Sequence, residues 1–169
     1  IVTALHGVAG CKNITAQPAS GGPGPLKQLE IVSVDIDRDA ALLWSAELES
    51  LPADGLEPVD TPQPEDYLQL DVLGYPFGMF RQQLTPKVDI LEQTELGNIV
   101  PPEAILTLSE RDSPAIDVDV FKLQTHVVPG HSGAPIINGD GKVIAVANGG
   151  LDLGRVEMGW AVPWQDIAW

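Results

Sequence analysis

A chain of 169 residues can bury one large or two small hydrophobic cores, and 24 acidic against 9 basic residues leave a formal charge of −15. That charge excludes nucleic acid as a direct partner, because phosphates would be repelled. Its even spread along the chain reads as a solvated surface rather than an interaction tail. With 17 glycines and 15 prolines the composition favours short strands between turns, no apolar run is long enough to span a membrane, and three scattered histidines with one cysteine make no metal-binding pattern.

The chain begins with an apolar strand, Ile1 to Leu5, that ends at His6. Cys11 is the single cysteine, so no intrachain disulfide forms; it reads as a buried, inert thiol and points to a reducing, bacterial cytoplasmic setting. Pro18 to Pro25 is a loop, since proline and glycine forbid regular pairing there. Leu29 to Val34 and Ala40 to Trp44 follow as strands; Asp35 and Asp37 read as surface residues, whereas Asp39 stands at the mouth of a buried apolar strand. A proline- and acid-rich connector, Pro52 to Asp66, comes next. Gly97 to Pro102, with its Pro-Pro pair, reads as a loop at a sheet edge. Asp117 to Leu123 alternates polar and apolar residues as a strand does. Ile136-Ile137, the turn Asn138-Gly139-Asp140-Gly141 and Lys142 to Ala147 read as a hairpin. A short helix starts at Pro163-Trp164-Gln165-Asp166.

Between those last strands lies Pro129-Gly130-His131-Ser132-Gly133-Ala134-Pro135. A serine between glycines in a tight turn has an exposed hydroxyl, and the surrounding N–H groups are free to face a developing oxyanion. Such a nucleophile needs an imidazole base. His131 adjoins the serine and projects away from it, and His126 approaches only from below, which leaves His6. Asp39 is the best candidate to fix the imidazole tautomer. The chain order is therefore His, Asp, Ser. No histidine follows Ser132 and Ala134 replaces the second glycine of a nucleophile elbow, so an α/β-hydrolase is excluded.

These segments resemble the chymotrypsin-fold (trypsin-like) serine peptidases, in particular the disulfide-free bacterial branch of glutamyl endopeptidases and high-temperature-requirement proteases. The matching stretches are Ile1 to His6, Asp39-Ala40-Ala41-Leu42-Leu43, Val72 to Gly78, Leu123 through Pro135, and Gly159-Trp160-Ala161-Val162-Pro163. The chain departs from the pattern at His131, where asparagine or aspartate is usual, and at Gly7, where secreted animal members place a cysteine. Only five residues precede His6.

The resemblance implies an all-β fold of two six-stranded Greek-key barrels, the first lacking its opening strands in this chain. Residues 1–58 would be the remnant of that barrel, 59–66 a connector, and 67–169 the second barrel with the start of a terminal helix. It implies a serine endopeptidase with His6, Asp39 and Ser132 as catalytic residues and the N–H groups of Gly130 and Ser132 as the oxyanion hole. No cofactor or metal is expected. The specificity pocket is assigned to His126, Ala147, Asn148 and Gly149, in a wall that runs on to Gly150 and is closed by the strand Gly159 to Pro163, with cleavage after polar, acidic or small residues rather than basic ones. Expected partners are a protein or peptide substrate and regulatory domains, or a partner chain supplying the missing strands; no membrane is expected. The alternative is a degenerate protease fold serving as a binding or scaffolding module.

Overall fold

The computed structural model describes residues 1–16, 27–47, 55–75, 82–84, 89–109, 114–124, 127–152 and 157–169. Pro18 to Pro25, the Pro52 to Asp54 end of the connector, Pro76 to Gly78 of the Val72 to Gly78 stretch, and Thr125 and His126 lie outside the described residues. The strands form two antiparallel sheets with few helices, as an all-β reading requires.

The first sheet has the order β1-β4-β3-β2, built from β1 (Val2–Ala4), β2 (Ile14–Ala16), β3 (Lys27–Asp35) and β4 (Ala40–Trp44). β1 and β4 are in register from Val2 opposite Leu42 to Ala4 opposite Ala40. One face packs Leu29, Ala41 and Leu43 against Val8, with Leu5 and Ile14 at its border. On β3 and β4 the residues Ile31, Val32, Val34 and Trp44 stay exposed.

The second sheet has seven strands. These are β5 (Asp71–Gly74), β6 (Gln82–Leu84), β7 (Ile90–Glu95), β8 (Asp119–Leu123), β9 (Pro135–Ile137), β10 (Val143–Asp152) and β11 (Glu157–Pro163), in the order β6-β5-β9-β10-β11-β8-β7. The β9–β10 hairpin turns where expected: Asn138 Oδ1 accepts from the N–H groups of Asp140 and Lys142, and Gly141 takes φ +78.

Two clusters fill the second unit. Val72, Leu123, Ile136 and Ile144 lie in one; Leu96, Val120, Trp160 and Val162 lie in the other. Ala40 and Val2 of the first sheet belong to the latter cluster, so apolar burial joins the sheets beside Asp39.

Three expectations are corrected. Gly97 to Pro102 is not a loop: α1 (Leu96–Ile99) leads into α2 (Pro102–Ser109), and Pro102 is the first residue of that helix, where a missing N–H costs nothing. Asp35 is buried rather than on the surface, because it accepts from the backbone N–H groups of Arg38 at 3.1 Å and Ala168 at 2.8 Å. Cys11 is exposed, since Val8 takes the inward position at the close of that turn and carries the core contact instead. The terminal helix is a single 3-10 turn, Trp164–Asp166.

Candidate active site

His6 sits in a 3-10 turn, Leu5–Gly7, that ends β1. Asp39 immediately precedes β4, the neighbour of β1, so the β1–β4 register brings the two residues together. Asp39 takes φ +51, a left-handed conformation that aspartate tolerates better than most residues. The strain is held from both sides: the Asp39 carbonyl accepts from Leu5 N–H at 2.9 Å, and from Asn148 Nδ2 at 3.2 Å.

The Asp39 side chain is fully buried. Its Oδ1 accepts from the His6 backbone N–H at 2.7 Å and its Oδ2 lies 2.5 Å from His6 Nδ1. A carboxylate only accepts hydrogen bonds, so Nδ1 carries a proton and Nε2 of the neutral ring presents its lone pair. A buried carboxylate without such donors would be costly. Asp37, the competing acid, is exposed.

Ser132 stands between β8 and β9, at the rim of the second sheet. Val128-Pro129-Gly130-His131 is closed by a 3.0 Å bond from His131 N–H to the Val128 carbonyl, with Gly130 at φ +98. Proline in the second position and a positive-φ glycine in the third are the marks of a type II turn. Among the described residues, no backbone carbonyl accepts from the N–H of Gly130 or Ser132.

Gly133, at φ +82, follows the serine, and a Cβ there would lie 2.2 Å from Thr3 Oγ1 and 2.8 Å from Ala4 N. The absence of a side chain at Gly133 therefore lets the serine turn seat directly on β1, two residues before His6. His131, fully buried, accepts from Val128 N–H on Nδ1 at 3.2 Å and packs under Gly74, where a Cβ would meet its ring at 2.4 Å.

His6 and Ser132 border one cleft of about 290 Å³. Its other walls are Val127, Val128 and Pro129 on one side and Asn148, Gly149 and Gly150 on the other, with Leu108 and Trp160 completing it. Asn148 and Gly149, two residues of the expected specificity pocket, line this cleft. Ala147 does not line the cleft: it is fully buried, and its carbonyl and N–H bond the turn at Gly133 and Ala134 at 2.8 Å each. A register shift between Ala147 and Gly149 leaves Asn148 as the extra residue and aligns Gly149 with Trp160.

Gly150, expected in the second pocket wall with Ala147 to Gly149, and Trp160, in the strand expected to close the pocket, also border the cleft. Sequence reasoning did not assign Leu108 to it, because α2 itself went unread. Among the described residues no group of side chains is arranged to hold a metal ion, and no helix is long and apolar enough to cross a membrane.

The chain matches the trypsin-like peptidase domain model over residues 1–146. It is similar to the Rv3671c protease of Mycobacterium tuberculosis H37Rv in its active form, at 25% identity and a TM-score of 0.70, covering 96% of this chain and 63% of that one. The inactive form of the same protease matches at 25% identity and a TM-score of 0.70, covering 96% of this chain and 72% of that chain. The HtrA-type protease AlgW, solved with a decapeptide, shares the fold at 18% identity and a TM-score of 0.66, covering 97% of this chain and 44% of its own. No sequence among the curated proteins matches. The β-rich two-sheet architecture is thus that of the chymotrypsin-like double barrel, and the chain belongs to the trypsin-like peptidase domain family, the chymotrypsin-fold serine peptidases.

Proposed function

We propose that the chain is the catalytic domain of a serine endopeptidase that cleaves peptide bonds through His6, Asp39 and Ser132, within a larger or regulated protein. The observation that carries this reading is the 2.5 Å pairing of His6 Nδ1 with the buried Asp39 carboxylate beside a cleft that His6 shares with Ser132.

In this mechanism a peptide occupies the cleft with its scissile carbonyl over Ser132. The Ser132 Oγ attacks the carbonyl carbon while Nε2 of His6 takes the hydroxyl proton. Asp39 stabilises the resulting imidazolium without itself taking the proton. The carbonyl oxygen, now an anion, is received by the N–H groups of Gly130 and Ser132, neither of which donates to a backbone carbonyl among the described residues; each such donor is worth roughly 3 kcal/mol of barrier in related chemistry. His6 returns the proton to the leaving amine, an acyl-enzyme forms on Ser132, and water activated by His6 releases it.

A fluorophosphonate probe tests this directly, because it traps a hydroxyl activated by a neighbouring base. Ser132 is expected to be the labelled residue. Ser132→Ala should abolish labelling and His6→Ala should bring it to background. Labelling that survives in Ser132→Ala, or falls on another serine, overturns the assignment. A folded chain that never labels favours the binding-module alternative.

A further inference from the structure

His131, next to Ser132, is fully buried. An imidazole taken out of water costs stability unless its nitrogens are bonded, and leucine would fill the same space without that cost. The bond at Nδ1 gives the ring a use. Val128 N–H donates to His131 Nδ1 at 3.2 Å, while His131 N–H donates to the Val128 carbonyl at 3.0 Å. The turn Val128-Pro129-Gly130-His131 is therefore closed twice, once through the main chain and once through the side chain of its last residue. Among the described residues no backbone carbonyl accepts from Val128 N–H, so the imidazole stands in for one. A backbone N–H only donates, which leaves Nδ1 unprotonated and puts the ring proton on Nε2.

The ring also seats the turn on the second sheet. It lies against Gly74 at the end of β5, where a Cβ would meet Cδ2 at 2.4 Å and Nε2 at 3.3 Å. The next residue, Tyr75, donates its N–H to the Gly130 carbonyl at 3.4 Å. After residue 131 the chain is held by backbone bonds of 2.8 Å each, from Gly133 N–H to the Ala147 carbonyl and from Ala134 N–H to the His131 carbonyl. Before it, among the described residues, the hydrogen bonds on the segment that carries Gly130 are the turn bond, the longer one from Tyr75 and the one to the imidazole.

We propose that His131 is a positioning residue for catalysis: by accepting Val128 N–H on Nδ1, its buried ring fixes the turn that offers the N–H groups of Gly130 and Ser132 to the developing oxyanion. This rests on the peptidase reading of the same site. The ring is fully buried behind the turn, so it acts through the backbone and not on substrate. The charge that these donors meet forms only in the transition state. A turn let loose should therefore lower kcat more than it raises KM.

The test compares the full chain with two variants. His131→Leu fills the space and removes the acceptor, whereas His131→Asn carries an oxygen on Cγ where histidine carries Nδ1. At equal folded fraction, His131→Leu should lower kcat by about 10- to 100-fold, the scale of a misplaced catalytic group, with KM changing far less. His131→Asn should recover most of that loss. A leucine variant with the parent's kcat, a loss that appears in KM alone, or an asparagine variant no better than leucine overturns the proposal.

A second measurement needs no turnover. In the Ser132→Ala chain, the Val128 amide proton should exchange faster with His131→Leu than with histidine, and more slowly again with His131→Asn. If cleavage and fluorophosphonate labelling fail in the parent while Val128 exchange responds in this way, the peptidase reading falls and the hold of His131 on the turn stands. Exchange that does not respond overturns the proposal whatever the activity. Should His131→Leu not fold, the parent decides alone. Nitrogen-15 spectra of its imidazole, assigned through the backbone of residue 131, should place the ring proton on Nε2, and a proton on Nδ1 overturns the proposal.

Discussion

On the first-sheet side of the cleft, His6 and Asp39 are held by side-chain hydrogen bonds of 2.5 and 2.7 Å around a fully buried carboxylate. On the second-sheet side, Ser132 has one weak side-chain contact, its Oγ 3.4 Å from the Asn148 carbonyl, and is placed by backbone conformation, between Gly130 at φ +98 and Gly133 at φ +82. In the proposed mechanism, tight side-chain bonding suits a base whose tautomer must not change, and backbone placement suits a nucleophile whose hydroxyl must move as it gives up its proton. The two sides meet in the apolar cluster that Val2 and Ala40 share with Trp160 and Val162, at Gly133 on Thr3 and Ala4, and through the bonds of Asn148 Nδ2 to the Asp39 carbonyl and of Ala168 N–H to Asp35.

The sharpest break in this comparison is Asp39→Asn. The amide keeps a carbonyl oxygen for the His6 backbone N–H, so the fold should survive. Its NH₂ would face Nδ1, however, and push the imidazole proton onto Nε2, where the serine proton must go. Turnover should fall on the order of 10⁴-fold with the melting temperature nearly unchanged. Kinetics and thermal denaturation measured on one preparation check both halves; a loss of stability that tracks the loss of rate would mean that Asp39 acts mainly in the fold.

Gly133→Ala strikes the other side. The new Cβ needs both a left-handed backbone and space that Thr3 and Ala4 occupy, so it should cost on the order of 3 kcal/mol and pull the serine turn away from His6. Gly10→Ala is the control: Gly10 takes φ +70 but has nothing within 4 Å, so strain alone should cost about 1 kcal/mol. Urea denaturation of the two variants separates strain from collision. Equal losses would show that the seat on β1 contributes nothing.

Asp35→Asn sharpens the contrast between the buried acids. Asp35 accepts from Arg38 and Ala168 and does not border the cleft. Removing its charge should lower stability by about 1 to 3 kcal/mol while the folded fraction keeps its peptidase rate, the inverse of Asp39→Asn.

How much of this was legible beforehand follows the same division. The serine turn alone was weak, since glycine and serine fill ordinary turns too; it became readable through the rest of the chain, with His6 reached by elimination among three histidines. Asp39 was readable from its place before an apolar strand. What depended on distant backbone was not: Asp35 is buried by an N–H 133 positions away, and no local pattern reports that. Helix α2 was hidden behind Pro101-Pro102, a pair that breaks strands but also opens helices. The bond between Val128 N–H and the His131 ring was hidden for a different reason. Turn residues say where the chain reverses, not which N–H a side chain will satisfy there.

The smallest expected effect lies at the seam between the two sides, where Asp166 in the 3-10 turn after β11 receives Gln93 Nε2 at 3.3 Å. Burial raises the carboxyl pKa above its ordinary 3.8; the Arg38 guanidinium works against that rise, and the charge of Asp119 adds to it. The folded chain therefore holds this proton to higher pH than the unfolded chain does. Between pH 3.8 and the raised folded value the folded state binds more protons, so the contribution of Asp166 to stability falls as pH rises through that window and stays unfavourable above it. Asp166→Asn removes the penalty. It should stabilise the chain at pH 7 by about 0.3 kcal/mol, a small figure because the group is largely solvated and screened. The gain should shrink as pH falls through the raised folded value and vanish only well below 3.8, where both states of the parent are protonated. Urea midpoints of parent and variant across that range measure it, and a variant less stable than the parent at pH 7 would show that the Gln93 bond outweighs the cost of burying the charge.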